Sequence, residues 1–494
     1  MGPPSIFAHN GAEYAFSEGV RVGKGDARHS SRLLLWAPIG LVLCLLGAGF
    51  AAFEYDLGER WGIAETAPSS PAEVPAPQQL QLPASAPAGP VAEPAAASGT
   101  ADERAIRRAV AKILKRKTWG DHVVAAVGSP GGEVWFDNAA GVGTPASLTK
   151  LVTGLAALDA LGAEHTFTTK VVATTGEAVI LVGGGDPYLA AEPAKASAWP
   201  KQADLRTLAA ETAAALAAEG RTSIRLQYDD SLFSGPTLNP RWPADYFSDG
   251  VVAPITALWA DQGDKRDGWG HEADPSRSAA QLFAGYLRKA GVQVTGKVRP
   301  ASAPSTASVL AEAESAPLSQ VVEQVIAVSD NEGAELLAHH VGLAEGTGGS
   351  FTGGARGVRA VLSRLGVPMA GARLFDGSGL SRDNLLSART LLGVLSVAAQ
   401  QPALRAVIEG LPVAGFNGSA ALRLAESDPE GLGRVRAKTG TLTGVHGFAG
   451  VIDAVDGTVF TFVVFADRVK VEDTLAVRES IDDFSAALAA CRCG

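Results

Sequence analysis

The segment Gly447–Phe465, which reads GFAGVIDAVDGTVFTFVVF, decides the fold class. Residues 447–453 and 458–465 are both strand-like, and Asp456-Gly457 between them is a typical hairpin turn. Apolar residues then recur at helical spacing at Leu475, Val477, Ile481, Phe484 and Leu488. The carboxyl-terminal part of the chain therefore predicts an antiparallel hairpin followed by a helix.

A second hairpin is indicated much earlier in the chain. His122–Val127 and Glu133–Phe136 are strand-like, and Ser-Pro-Gly-Gly at 129–132 supplies a turn between them. Apolar residues at helical spacing predict one helix over 106–114 and another, largely apolar helix over Ala146–Leu161. This order predicts an α+β fold, in which the two ends of the sequence meet in one antiparallel sheet and helices pack on it.

Composition narrows the possible function classes. The chain has 494 residues, which allows about two to four domains. Its 42 Lys and Arg against 52 Asp and Glu give a net charge of −10, and this disfavours nucleic acid as a partner because phosphate contacts need a basic face. With 46% hydrophobic and 19% charged residues, the chain is not wholly disordered.

No cofactor or metal is indicated by the residue patterns. The sequence lacks a phosphate-binding glycine loop and a dinucleotide fingerprint. The adjacent His339 and His340 make a poor metal pair, because neighbouring residues of a helix point in different directions. Three cysteines are too few for a disulfide framework. We interpret Cys491 and Cys493 as a reduced tail, with a disulfide or an intermolecular link as the alternatives.

The amino-terminal part predicts a membrane anchor. Residues 33–53 carry no charge and are long enough to cross a bilayer as a helix. Basic residues precede this span and acidic residues follow it, so residues 1–32 are expected to be a disordered cytoplasmic tail with the rest of the chain exported. A cleaved signal peptide, which would give a secreted protein, is the alternative. The Pro- and Ala-rich residues 54–100 are interpreted as a linker.

The first motif that could support chemistry is Ser147-Leu148-Thr149-Lys150. Serine and lysine three residues apart lie on one face of a helix. A serine hydroxyl needs a base to become a nucleophile, and burial lowers the pKa of a lysine enough to provide one. An exposed helix pair without function is the alternative interpretation.

The second motif is Ser329-Asp330-Asn331, which follows one apolar helical run and precedes another. Its hydroxyl could pass a proton to a leaving amine, and its amide could bind a substrate carbonyl. Helix capping is the alternative, since Ser, Asp and Asn all favour that position.

The third motif is Lys438-Thr439-Gly440-Thr441, just before the carboxyl-terminal hairpin. Lysine offers a charge and threonine a hydroxyl to a substrate carboxylate, while glycine lets a substrate backbone come close to a strand edge. The alternative is a strand-edge lysine beside a turn glycine.

Together and in this order, the three motifs resemble those of serine β-lactamases and penicillin-binding proteins. Residues 101–494 resemble the class C low-molecular-mass penicillin-binding proteins, the D-Ala-D-Ala carboxypeptidase/endopeptidase family of serine DD-peptidases. Further segments similar to those of the family are Gly183–Leu189, Asp229–Phe233, Trp242–Asp245, Asp376–Arg382 and Lys438–Val445.

The resemblance implies a role for each matching motif. Ser147 would be the acylated nucleophile and Lys150 its general base. Ser329 and Asn331 would serve proton relay and substrate binding, and Lys438 would orient the substrate.

The resemblance implies that further residues bind the substrate. Thr439 would help to orient the substrate, Gly440 would let its backbone approach, and Thr441 would lie near its terminal carboxylate. The backbone N–H groups of Ser147 and Thr441 would form an oxyanion hole.

A pocket for the far end of the substrate is also implied. Asp245 and Arg382 look like the pair that grips the free amino-acid end of a diaminopimelate-containing stem peptide, with Trp242 lining the pocket. We interpret Asp186 as a structural residue, because Gly-Asp-Pro is turn chemistry.

The expected protein is therefore a serine carboxypeptidase/endopeptidase that acts on peptidoglycan stem peptides and is acylated by β-lactams, without a cofactor. Residues 101–170 and 306–494 would form the β-lactamase-like catalytic domain, and 171–305 an inserted domain where the family usually has two. A β-lactamase or esterase on the same fold and a catalytically silent wall-binding protein are the alternatives.

Overall fold

A computed structural model describes residues 101–174, 176–424 and 429–494. The expected tail 1–32, membrane span 33–53 and linker 54–100 lie outside the described residues. None of the helices in the described ranges combines the length and the apolar character that crossing a bilayer requires.

Thirteen strands and ten α-helices can be assigned in the described ranges. The strands are β1 Val123–Gly128, β2 Val134–Asp137, β3 Val142–Gly143, β4 Thr168–Ala173, β5 Ala178–Val182, β6 Ser223–Asp229, β7 Gln293–Val294, β8 Arg299–Pro300, β9 Ser308–Glu314, β10 Leu386–Ser387, β11 Val435–Leu442, β12 Val445–Asp453 and β13 Val459–Ala466. The helices are α1 Glu103–Ala111, α2 Thr149–Leu161, α3 Leu205–Ala218, α4 Pro275–Lys289, α5 Leu318–Val328, α6 Asn331–Ala344, α7 Phe351–Arg364, α8 Ala388–Gln400, α9 Ala406–Glu409 and α10 Thr474–Ala489.

The main sheet is antiparallel and joins both ends of the described chain. Its strand order is β11-β12-β13-β1-β2. Strand β1 pairs with β13 from Val123 opposite Ala466 to Gly128 opposite Thr461. The prediction that the two hairpins meet in one antiparallel sheet is confirmed.

Residue alternation along the central strands explains why helices cover both faces of this sheet. Val124 and Ala126 of β1 belong to the core formed with α2, α5 and α6. Ala125 and Val127, which point to the opposite face, belong to the core formed with α1 and α10. Because successive side chains of a strand alternate between faces, an uninterrupted apolar strand needs cover on both sides.

Strand β11 was not predicted from the sequence. It includes the whole Lys438–Thr441 motif and forms the edge of the main sheet, with Val435 opposite Ile452 and Leu442 opposite Val445 on β12. Lys, Thr and Gly give no clear alternation of apolar and polar residues, so pairing with β12 rather than local pattern makes this segment a strand.

A second sheet lies between the first and second motifs in the chain. Its order is β7-β6-β5-β4-β9, with β8 also paired to β6. Helices α3 and α4 share a separate hydrophobic core with it. The sheet begins at Thr168 and ends at Glu314, slightly outside the expected limits 171 and 305.

Part of the expected insertion packs against helices from outside it. Trp242, Val252, Ile255 and Trp259 form one apolar cluster with residues of α6, α7 and the following loop, namely Leu336, Phe351 and Leu380. This segment lies beside the second motif because of that packing.

The carboxyl terminus differs from our interpretation of a reduced tail. The sulfur atoms of Cys491 and Cys493 are bonded to each other. Cys493 is buried, and its carbonyl accepts a hydrogen bond from the Asp102 backbone at 2.6 Å, next to α1.

Candidate active site

Ser147 and Lys150 lie where a tight turn becomes a helix. Ala146–Leu148 form a single 3₁₀ turn, and α2 begins at Thr149. Ala146 has a φ of 49°, in the left-handed region that alanine rarely adopts. The Lys150 Nζ lies 2.9 Å from the Ser147 Oγ, so the predicted contact between the two residues is present.

Two glycines let the chain pack tightly around this turn. A Cβ on Gly440 of β11 would lie 2.8 Å from the Pro145 carbonyl oxygen. A Cβ on Gly379 would overlap the Ala146 carbonyl. Segments from two distant parts of the chain therefore press directly on the turn that presents Ser147, which holds the strained Ala146 in place.

Lys150 is fully buried among oxygen atoms. Its Nζ donates to the Asn331 Oδ1 at 2.8 Å and to the Ser378 carbonyl at 2.9 Å, as well as to Ser147. Burial lowers the pKa of Lys150 to about 8, although nearby carboxylates oppose this shift. A pKa near 8 leaves about a tenth of the amines neutral at pH 7, whereas an ordinary lysine would leave less than about one in a thousand.

The second motif combines capping and binding geometry. Ser329 ends α5 in the left-handed conformation, with φ 64° and ψ 40°. Asp330 caps α6 by accepting a hydrogen bond from the Gly333 N–H at 2.9 Å. Asn331 instead turns toward Lys150, and its Nδ2 donates to the Val251 carbonyl at 2.9 Å. The capping alternative thus describes Asp330, while Asn331 belongs to the site.

The third motif places a second buried lysine near the first. Lys438 is fully buried, and its Nζ donates to the Thr439 carbonyl at 2.7 Å. Burial, and then the charge of Lys150, lower the pKa of Lys438 well below its ordinary value. Thr439 is half-buried and shares a hydrogen bond of 3.0 Å with the Ser419 hydroxyl, while Thr441 is exposed.

Asp245 and Arg382 are both exposed and surround Tyr246. The Arg382 guanidinium donates to the Thr443 carbonyl at 2.8 Å, beside the turn between β11 and β12. Burial raises the pKa of Tyr246, the charge of Arg382 lowers it and that of Asp245 raises it. The charges of both side chains therefore act on the same tyrosine.

Trp242, which the resemblance places in the lining of the pocket, is mostly buried. Its side chain is 8% exposed and packs edge to face on Phe351 with ring centroids 5.1 Å apart. Its indole N–H donates to the Asp376 Oδ2 at 2.8 Å. Trp242 therefore supports the loop 376–381 through this hydrogen bond. Its apolar ring is removed from water while its polar N–H has a partner.

The interpretation of Asp186 as a turn residue is confirmed. Its Oδ1 accepts a hydrogen bond from the Tyr188 N–H at 2.8 Å, and burial raises its pKa to about 7.

Sequence reasoning missed three contributors to the site. The Ser378 carbonyl contacts Lys150, the buried Glu335 carboxylate binds the backbone N–H groups of 377 and 378, and Ser419 contacts Thr439. Glu335 follows Asn331 by four residues and so shares its helix face, which was an available signal. The other two contacts depend on packing between distant segments, and no local pattern marks them.

Comparison with known proteins identifies the family. The family model described as D-Ala-D-Ala carboxypeptidase 3 (S13) matches residues 107–268 and 265–488. Carboxypeptidase DacB of Mycolicibacterium smegmatis is 35% identical over 465 residues, covering 92% of this chain and 96% of that protein. Carboxypeptidase Rv3627c of Mycobacterium tuberculosis is 37% identical over 332 residues, covering 66% of this chain and 71% of that protein.

A solved structure confirms the fold. The crystal structure of penicillin binding protein 4 (dacB) from Haemophilus influenzae superimposes with a TM-score of 0.64 at 22% identity, covering 77% of this chain and 98% of that one. Together with the family match over most of the chain, this confirms the resemblance derived from the three motifs. The chain belongs to the D-Ala-D-Ala carboxypeptidase 3 (S13) family, the class C low-molecular-mass penicillin-binding proteins.

Proposed function

We propose that this chain is a serine D-Ala-D-Ala carboxypeptidase that cleaves the terminal D-alanine from peptidoglycan stem peptides through an acyl-enzyme. The observation that supports this most is the 2.9 Å contact between the Ser147 Oγ and the Nζ of the buried Lys150. A nucleophile in contact with a base whose pKa lies near the working pH is the arrangement that acyl transfer requires. The names of the relatives, which are carboxypeptidases, support the same reaction.

In the acylation step, the neutral Lys150 amine accepts the Ser147 hydroxyl proton as Oγ attacks the carbonyl carbon of the penultimate D-alanine. The resulting oxyanion is stabilised by the backbone N–H groups of Ser147 and Thr441. The C–N bond then breaks, and the leaving D-alanine amine takes the proton through Ser329. The product is an ester between Ser147 and the shortened peptide.

In the deacylation step, water attacks this ester and restores the Ser147 hydroxyl. The peptide leaves as a carboxylate, so the two steps together consume one water and release one D-alanine. A β-lactam enters the same first step because it presents a reactive amide, but the opened ring stays attached and gives a covalent adduct.

The third motif is suited to an anionic substrate. Lys438 is fully buried without a carboxylate among its hydrogen-bond partners in the described residues, and its pKa is therefore lowered. A substrate carboxylate beside Thr439 and Thr441 would supply the opposite charge and stabilise the ammonium form. Gly440 supports this site by letting β11 lie against the turn that carries Ser147.

We expect the rate of acylation to rise with pH through about 8. The reaction needs the neutral form of Lys150, whose pKa is lowered to about 8, so the fraction of competent enzyme grows as protons leave this amine. The rate constant for acylation by a fluorescent penicillin, measured between about pH 6 and 9, checks this. Thermal melts at each pH control for unfolding, and a flat profile in folded protein would contradict the assignment of the base.

We propose that Asp245 and Arg382 recognise the free amino-acid end of the stem peptide. Arg382→Ala should lower kcat/KM about tenfold to a hundredfold for a peptide with a diaminopimelate end, because a charge-assisted hydrogen bond is lost. Acylation by benzylpenicillin, which lacks that end, should be unchanged. Arg373→Ala, an exposed arginine of the same segment, is the matched control. If Arg382→Ala lowered kcat/KM by the same factor for a peptide without the charged end, this role would be refuted.

The proposed activity is tested with benzylpenicillin and defined muropeptides. We expect a stable penicilloyl adduct by mass spectrometry and release of D-alanine from a pentapeptide. Rapid turnover of penicillin would instead indicate a β-lactamase, and binding to peptidoglycan without hydrolysis would indicate a silent wall-binding protein. Comparing the rate of cleavage of a cross-linked muropeptide dimer with that of the monomer measures how much of the activity is endopeptidase.

We also propose that the catalytic part lies outside the cytoplasm and is tethered to the membrane by residues 33–53. The uncharged stretch and the basic residues before it support this orientation. Membrane fractionation with the mature amino terminus sequenced tests it, since signal cleavage would give a secreted form.

A further inference from the structure

The loop that contacts Lys150 is held by a buried carboxylate. Glu335 on α6 is fully buried, and its two carboxylate oxygens accept the Gly377 N–H at 3.0 and 3.1 Å. Its Oε1 also accepts the Ser378 N–H at 2.8 Å. The carbonyl of the same residue, Ser378, then accepts the hydrogen bond from Lys150 at 2.9 Å.

We propose that Glu335 is a positioning residue for the base: by fixing the backbone at 377 and 378, it holds the Ser378 carbonyl on the Lys150 amine. This inference rests on the proposed function of Ser147 and Lys150. Glu335 does not touch the reacting atoms in this account and acts only through the loop.

The loop lies directly against the helix that carries Glu335. A Cβ on Gly377 would lie 2.6 Å from both the Ala334 carbonyl oxygen and the Ala338 Cβ, so the loop backbone rests directly on α6. The Gly377 carbonyl is fixed as well, since it accepts the Thr153 hydroxyl at 2.7 Å. These contacts involve Gly377, and Glu335 in addition binds the Ser378 N–H, one peptide further along the loop.

Glutamine is a poor substitute at this position. A carboxylate offers acceptor oxygens to both N–H groups, whereas the amide of glutamine has one oxygen and turns an NH₂ donor toward a backbone donor. With its oxygen in the place of Oε1, the amide still meets both N–H groups, but its NH₂ then takes the place of Oε2 and faces the Gly377 N–H. Two donors that face each other at a fully buried position are costly. The loop is expected to shift, and the Ser378 carbonyl shifts with it.

Other charges also face Lys150. The experiment must therefore separate the effect of a lost charge on the pKa of Lys150 from the effect of a displaced loop. Asp330, Glu332 and Glu335 lie on or cap α6, Asp376 lies in the loop, and all four raise the pKa of Lys150. Lys438 on β11 is the neighbouring cation. Burial raises the pKa of Glu335, with Asp376 adding to the shift and the hydrogen bonds from 377 and 378 opposing it.

Glu332 provides a matched control on the same helix. Its Oε1 accepts the Ala253 N–H at 2.9 Å, a bond that glutamine can keep, and it makes no bond to the loop 376–381. Glu332→Gln and Glu335→Gln each remove one negative charge that raises the pKa of Lys150. Both variants should therefore move the inflection of the acylation profile to lower pH.

The experiment measures the acylation rate constant with a fluorescent penicillin across pH in the full chain. The plateau at high pH, where Lys150 is neutral, should fall about tenfold or more in Glu335→Gln and stay within about twofold of wild type in Glu332→Gln. Thermal melts of both variants at each pH show whether they are folded, so partial unfolding can be separated from a lower plateau. Equal plateaus in the two variants overturn the inference.

Glu335→Asp gives a second readout if the glutamine variant does not fold. The shorter carboxylate keeps the charge but cannot reach both N–H groups, so its plateau should fall without a shift of the inflection to lower pH. A wild-type plateau in this variant overturns the inference. If the wild-type chain itself forms no penicillin adduct, the proposed function fails, and that outcome is distinct from equal plateaus in an active enzyme.

Discussion

Ser147→Ala is expected to form no covalent adduct with benzylpenicillin and to lose D-alanine release by about a millionfold. The Oγ of Ser147 is the atom that forms the ester. Among the described residues, Ser147 is the one whose hydroxyl is hydrogen-bonded to Lys150. Removing the oxygen leaves the base and the binding groups in place but removes the bond that must form. Intact-protein mass spectrometry and a D-alanine assay measure both losses.

The matched control for this variant is Ser363→Ala, which removes an exposed helix hydroxyl whose bond goes to the carbonyl of Arg359. This control should acylate at the wild-type rate. A penicilloyl adduct that persists in Ser147→Ala would assign the nucleophile elsewhere and remove the basis of the proposed mechanism.

Lys150→Met is expected to slow acylation by about a thousandfold to ten-thousandfold or more while the protein stays folded. Methionine fills a similar volume but cannot accept the Ser147 proton. Its stability should change little, because removing a desolvated amine is favourable while the Asn331 and Ser378 oxygens lose their donor. Stopped-flow acylation and a thermal melt together separate lost chemistry from lost structure.

Lys470→Met removes an exposed lysine and should leave the rate unchanged. If Lys150→Met acylates within about tenfold of wild type, then another group, with Lys438 the nearest lysine candidate, serves as the base. The pH profile of that residual activity would then no longer follow the pKa near 8 that burial gives Lys150.

Local pattern predicted four of the five strands of the main sheet, namely β1, β2, β12 and β13. The expected strands 447–453 and 458–465 correspond to Val445–Asp453 and Val459–Ala466, because apolar and aromatic runs around an Asp-Gly turn favour this structure in any context. The expected helix Ala146–Leu161 is correct in position but begins with a 3₁₀ turn. The positive φ of Ala146 and the close approach of Gly379 and Gly440 to that turn are features that helical spacing cannot reveal.

The surroundings of other residues depend on which segments meet, and local pattern does not show them. Trp242 was expected to line the substrate pocket, and the structure adds that its indole N–H donates to the Asp376 carboxylate, 134 residues away. Lys438 was placed before a hairpin and lies within a strand, because β12 supplies the hydrogen-bonding partner.

The amino-acid sequence alone determines the serine and lysine one helical turn apart, the alternating strands that need cover on both faces, and the glycines that permit close packing. These properties depend on spacing of a few residues, so they can be recognised without a fold. Only the tertiary structure decides that Lys150 meets Asn331 and Ser378, which are 181 and 228 residues away. Several distant segments form the surroundings that lower the pKa of Lys150. The pKa of a buried group depends on all the atoms that replace water around it, so it cannot be read from local sequence.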